Sequence, residues 1–115
     1  ESWNVSTSES YAYSFPCTQL STHYNGFHVC FLRPAMTPDE LSNKYGNLTQ
    51  IVAKWLFLNS NILDFTRSVY INVCRDKPDK NKRFSYSYGH YYINVTEDEL
   101  TEETLIALFK LYLLK

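Results

Sequence analysis

Residues Arg83–Thr96 read RFSYSYGHYYINVT, and how this stretch is laid down decides what the rest of the chain can be. Its rings alternate. As one regular strand, Phe84, Tyr86, Tyr88, His90 and Tyr92 would share a face with Asn94, because every second side chain of a strand points the same way. Asn94-Val95-Thr96 is also an N-glycosylation acceptor triplet, and a sugar and a hydrophobic core cannot occupy one face. Gly89 offers the way out. An isolated glycine inside a strand pattern marks a bulge, which adds a residue and reverses the facing of everything beyond it. The expected arrangement therefore puts Phe84, Tyr86 and Tyr88 with Tyr91, Ile93 and Val95 on the core side. Ser85, Ser87, His90, Tyr92 and Asn94 then point outward. An unbulged strand would instead display five rings as a binding platform.

Working outward, Val69–Cys74 alternates cleanly, with Val69, Ile71 and Val73 on one side and Tyr70, Asn72 and Cys74 on the other. The Arg75–Lys82 segment reads as a solvated loop joining this strand to the next in a wide hairpin. Phe27–Leu32, bounded by Asn25-Gly26 and Pro34, reads as a central strand. Tyr11, Tyr13 and Phe15 alternate, which predicts a short edge strand at the end of a partly flexible segment, residues 1–16. Thr37-Pro38-Asp39-Glu40 starts a helix that Gly46 is expected to stop. A second helix follows from about Leu48 to Leu58, with Leu48, Ile51, Val52, Trp55 and Leu58 as its apolar face. Thr96-Glu97-Asp98-Glu99 is a capping box for the last helix, whose run LIALFKLYLLK is too short to cross a bilayer. A helix apolar on nearly every side is expected to be buried, within its own domain or against another subunit. The order of elements predicts an α+β fold: a small, mainly antiparallel sheet with two or three helices packed on one face.

Length and composition restrict the function classes. The 115 residues suit one domain, 1–115, and 44% apolar with 20% charged residues describes a folded chain. A net charge of -1, with the one basic cluster broken by Asp76, Pro78 and Asp79, argues against nucleic acid as a partner. The chain opens on Glu1 rather than Met and carries three acceptor triplets, at Asn4, Asn47 and Asn94. These features predict a secreted, cell-surface or lumenal glycoprotein domain of the extracellular type. Cys17, Cys30 and Cys74 are disulfide candidates. Cys17–Cys30 and Cys30–Cys74 bridges remain equally open, and the odd cysteine is either a buried thiol or a covalent link to a partner.

Motifs for chemistry are missing. There is no nucleophile elbow, zinc-binding helix, Walker loop or dinucleotide fingerprint, so neither a metal nor a cofactor is expected. His28 and Cys30 lie two apart on one strand, a long spacing for nucleophile activation. The acidic set Glu97, Asp98, Glu99, Glu102 and Glu103 suits a helix N-terminus without any metal. The reading that follows is a non-enzymatic domain that recognises another protein, with Tyr86, Tyr88, His90, Tyr91 and Tyr92 as contacts. The alternative is a structural subunit of an obligate complex, burying Leu105–Leu114 and linked through the odd cysteine. A carbohydrate-binding module or a small hydrolase is the further alternative.

Overall fold

Two tight turns organise the sheet. Asn25 and Gly26 have φ of 48° and 90°, and Tyr88 and Gly89 have φ of 52° and 82°. Two successive positive φ angles are what a type I′ turn requires, and its twist matches that of the strands it joins. Each pair therefore closes a hairpin: β2 (Phe15–Tyr24) with β3 (Phe27–Arg33), and β5 (Phe84–Ser87) with β6 (His90–Thr96). The computed structural model describes residues 3–12, 15–33, 36–64 and 68–115. Tyr13 and Pro34, used in the sequence reading, lie outside them.

The expected bulge at Gly89 is corrected to a chain reversal. Ser87 pairs with His90 and Tyr86 with Tyr91, so Phe84, Tyr86, Tyr91 and Ile93 share one face. Ser85, Ser87, His90, Tyr92 and Asn94 share the other. A bulge and a two-residue turn both shift the alternation by one residue, so the facing is as expected although its cause is different. Tyr88 alone leaves the pattern, because it sits in the turn and is 97% exposed.

A 10-residue β1 (Trp3–Ala12) forms one edge of the sheet, longer than the short edge strand expected there. The 7-residue β4 (Ser68–Cys74) lies between β3 and β6. The 6-stranded order is β1-β2-β3-β4-β6-β5. Pairs β1–β2, β2–β3 and β5–β6 are antiparallel, but β3–β4 and β4–β6 are parallel. The mainly antiparallel sheet is thus corrected to a mixed one. The Arg75–Lys82 segment does not close a hairpin; it carries the chain past β6 to the outer edge, and β6 then returns parallel to β4.

The β3–β4 crossover is made by one helix, α1 (Pro38–Leu58), where two were expected. Thr37 caps it by accepting the Glu40 N–H at 3.2 Å, with Pro38 in the first turn. Gly46 does not stop it. A glycine costs a helix interior about 1 kcal/mol, whereas each large apolar side chain buried beyond it returns about 1.5–3 kcal/mol. Leu41, Tyr45, Thr49, Val52, Ala53 and Leu56 form one buried stripe through the glycine. That stripe is rotated from the face read in the sequence, so Ile51 (42%) and Leu58 (62%) are exposed.

The last helix, α2 (Glu102–Leu113), is capped by Thr101 rather than Thr96, with the Thr104 N–H donating to the Thr101 hydroxyl at 3.2 Å. Glu97–Glu99 form a separate 3-10 turn, in which Glu99 accepts the Thr96 N–H at 2.9 Å. Leu105, Phe109 and Leu113 of α2 are buried, and Phe109 stacks on Trp55 at 6.1 Å. Leu111 is 71% exposed, so only one stripe of α2 is buried within the domain. Both helices pack on the same face of the sheet, over Leu20, Val29, Phe31, Val69, Ile71, Val73, Ile93 and Val95. Glu97 fastens this layer at one end, taking Arg33 at 3.0 Å, the Tyr45 hydroxyl at 3.0 Å and the Lys44 ammonium.

Candidate functional site

Among the described residues, the second face of the sheet carries no helix. Register places Cys17, Gln19, Ser21 and His23 of β2 on it, beside His28, Cys30 and Leu32 of β3. Ser68, Tyr70, Asn72 and Cys74 follow on β4, then His90, Tyr92, Asn94 and Thr96 on β6 and Ser85 and Ser87 on β5. Ser6 and Ser8 of β1 continue it. None of these positions is Asp, Glu, Lys or Arg. Solvated sheet faces normally alternate with charged residues, and neighbouring parallel strands are normally covered on both sides. Here β3, β4 and β6 are parallel neighbours, and among the described residues one of their faces carries no helix and no charged strand position, the fixed charges beside it being those of the Arg75–Lys82 segment at the β4 and β6 C-terminal ends.

Its centre is a contiguous band of rings. His23 and His28 stack with centroids 4.2 Å apart and planes 7° from parallel. Tyr70 follows, 5.9 Å from His28, 5.2 Å from His90 and 5.1 Å from Tyr92. Tyr70, His90 and Tyr92 are half-buried. Burial raises the Tyr70 hydroxyl above its ordinary range, so it stays a neutral donor and acceptor through the physiological range.

The sequence candidates divide among three places. His90 and Tyr92 belong to this band. Tyr86 and Tyr91 lie on the helix side, where Tyr91 packs against Phe84 at 5.3 Å and Tyr86 at 4.7 Å, and Phe84 stacks on Tyr112 at 5.3 Å. Tyr88 occupies the hairpin tip. His28, His23 and Tyr70 escaped the sequence reading as contacts, because only strand order brings β2, β3 and β4 beside β6. The clean alternation of Val69–Cys74 was the signal that could have suggested Tyr70.

His28 and Cys30 come closer than their spacing suggested. The Cys30 Sγ lies 3.4 Å from His28 Nε2 and 3.0 Å from the Ser21 hydroxyl. Proximity here does not make a nucleophile. Burial pushes the Cys30 thiol up to about 11, and burial with the neighbouring His23 and His90 brings His28 down to about 4. At neutral pH the pair is thiol and imidazole, the reverse of the ion pair that activates cysteine.

The structural disulfide expected among Cys17, Cys30 and Cys74 is corrected: none forms. Register is the reason. Ser21 and Tyr70 flank Cys30, and Cys17 and Cys74 each lie four residues along those strands, about 13 Å away by strand rise. Cys17 and Cys74 are separated by the width of two strand spacings, about 9–10 Å. A disulfide spans no more than about 7 Å between Cα atoms.

At the β4 and β6 C-terminal ends, the Arg75–Lys82 segment overhangs a cleft of about 350 Å³ lined by Asn72, Cys74, Asp76, Lys77, Pro78, Asp79, Lys82 and Asn94. Asn72 donates to Asn94 Oδ1 at 3.0 Å, and Asn94 Nδ2 donates to the Lys82 carbonyl at 2.7 Å. A glycan on Asn94 would start inside this cleft. Asn47 is exposed on α1, and Asn4 pairs with His23 in the β1–β2 ladder.

No known family, curated protein or solved structure matches this chain. Among the described residues, no group of three or more His, Cys, Asp or Glu could hold a metal ion, and no helix is long and apolar enough to cross a membrane.

Proposed function

We propose that this is a non-enzymatic domain that recognises another protein with the uncovered face of its sheet, on the extracellular or lumenal side. The observation that carries the reading is the helix-free face over parallel strands, whose strand positions carry no charge and whose centre is the ring band His28–Tyr70–His90–Tyr92. Rings held in place by their neighbours lose little entropy on binding, and tyrosine supplies contact area with a polar tip. Serine and asparagine around them provide adaptable hydrogen bonds, and the absence of charge at the strand positions keeps the desolvation cost of contact low. The neutral Cys30–His28 pair supports a role other than catalysis. The extracellular setting rests on the acceptor triplets, of which Asn47 is the one with an exposed asparagine on a helix.

A second reading is favoured by a separate observation. Leu58, Ile62, Leu111 and Leu114 are exposed near the C-terminal ends of the two helices, which suits a subunit of an obligate complex. One experiment separates the two. A photo-crosslinking residue at Tyr92 or at Leu111 is introduced into the chain in the cells that make it. A discrete adduct from position 92 that disappears on Tyr70→Ala supports recognition by the sheet face. An adduct from position 111 alone transfers the interface to the helices and refutes the first reading.

A further inference from the structure

We propose that the edge strand β1 pairs with β1 of a second copy of this chain, antiparallel about a two-fold axis through Thr7. The argument starts from the backbone. β1 follows β2 through unbroken register from Trp3↔Tyr24 to Ala12↔Phe15, and its other side is the edge of the sheet. An edge leaves a row of N–H and C=O groups without ladder partners, and proteins blunt such edges with lysine, proline, a bulge or a short strand. The sequence WNVSTSESYA contains no Lys, Arg or Pro, and the register contains no bulge. The opposite edge, by contrast, is the 4-residue β5, preceded by Lys80, Lys82 and Arg83. One edge is short and flanked by basic residues, while the other is long and regular, with Glu9 as its single charged residue.

The partner follows from the faces. Antiparallel neighbours set residues of the same face opposite each other. Two copies related by a two-fold axis therefore join helix side to helix side and uncharged face to uncharged face. Only a register in which the paired residue numbers sum to an even value does this. Centring on Thr7 places Ser6 opposite Ser8 and Thr7 opposite its own copy, hydroxyl pairs that can hydrogen-bond across the strands. The interface is isologous and closes at two copies. The helix-free faces of the two copies then run on as one continuous surface.

Register gives a charge-swap test. The chain is measured by sedimentation equilibrium over a range of concentrations, and the wild type is expected to be a dimer. Ser6→Lys with Ser8→Lys sets two pairs of lysines directly opposite and is expected to raise the dissociation constant by at least about tenfold. Ser6→Lys with Ser8→Glu sets Lys opposite Glu twice and is expected to restore the dimer, with a salt dependence that the wild type lacks. Both positions are exposed in the single chain, and circular dichroism checks that each variant is folded. Hydrogen exchange is expected to protect consecutive β1 amides in the dimer and only alternate ones after dilution. A wild type that is monomeric at every concentration overturns the proposal. So does a dimer indifferent to the double lysine, or a folded Lys/Glu variant that stays monomeric.

Discussion

Tyr88 occupies a left-handed conformation, with φ of 52°, that costs an L-residue other than glycine or asparagine roughly 1 kcal/mol. Its ring makes no compensating burial at 97% exposure. Tyr88→Asn is therefore expected to stabilise the protein by about 0.5 kcal/mol, since asparagine suits the first position of a type I′ turn. A rise in the urea midpoint checks this, and a fall would mean that the tyrosine is held by contacts the single chain does not show. The same residue marks the limit of reading by pattern. Tyrosine has no turn signature, so the alternation carried it into the core face, and only Gly89 signalled that the strand was interrupted. A bulge and a reversal leave the same trace in the sequence because both shift the period of two by one.

At the scale of elements, Gly46 is the informative position. It lies inside α1, and a Cβ there would meet only the Ser42 hydroxyl oxygen, at 3.9 Å. Gly46→Ala is expected to stabilise by roughly 0.5–1 kcal/mol, measured as a higher midpoint of thermal unfolding. A helix that ended at Gly46 would give the opposite sign, because the glycine would then be needed for a left-handed cap. Central strands β3 and β4 and the N-terminus of α1 were legible, since each is defined by local alternation or a cap. β2 was not. Its inward positions include Thr18, Leu20, Thr22 and Tyr24, and its outward ones Gln19, Ser21 and His23, so the contrast between its faces is faint. The pair Asn25-Gly26, flanked by β-prone residues, was the signal that could have found it. The apolar face of α1 was misread for a related reason. Local spacing shows that a helix has a face, but Tyr45 and Thr49 joined it only because β3 and the sheet lie beneath them, with Phe31 6.0 Å from Tyr45.

At the scale of the molecule, titration reports how the layers hold together. His28 stays neutral down to about 4 against an ordinary 6.5, because it is half-buried among Ser21, Cys30, Ser68 and Tyr70 and lies beside His23 and His90. The unfolded imidazole takes up a proton that the folded one refuses, so stability is full above about pH 6.5 and falls as pH drops toward 4. Glu99 is shifted in the same direction by a different cause, its partners rather than burial. The Arg83 guanidinium at 2.8 Å and the Thr96 hydrogen bonds hold it down to about 2, so its contribution is present above 4.5 and lost between there and 2. Urea midpoints measured from pH 7.5 to 2.5 are expected to fall in these two stages. His28→Gln removes the first and Arg83→Met the second; a profile flat down to pH 5 in the unsubstituted protein would refute the role given to His28. The α+β class, the facing of β4 and of the β5–β6 hairpin, and the start of α1 were set by local sequence, because alternation, caps and residue chemistry act over a few neighbours. The parallel run of β4 and β6, the separation of the cysteines beyond bonding distance, and the meeting of tyrosines and histidines of four strands on the helix-free face came from the packing of the whole chain. Strand order is set by which layers can bury their apolar sides together, a property of the whole chain that no local stretch contains.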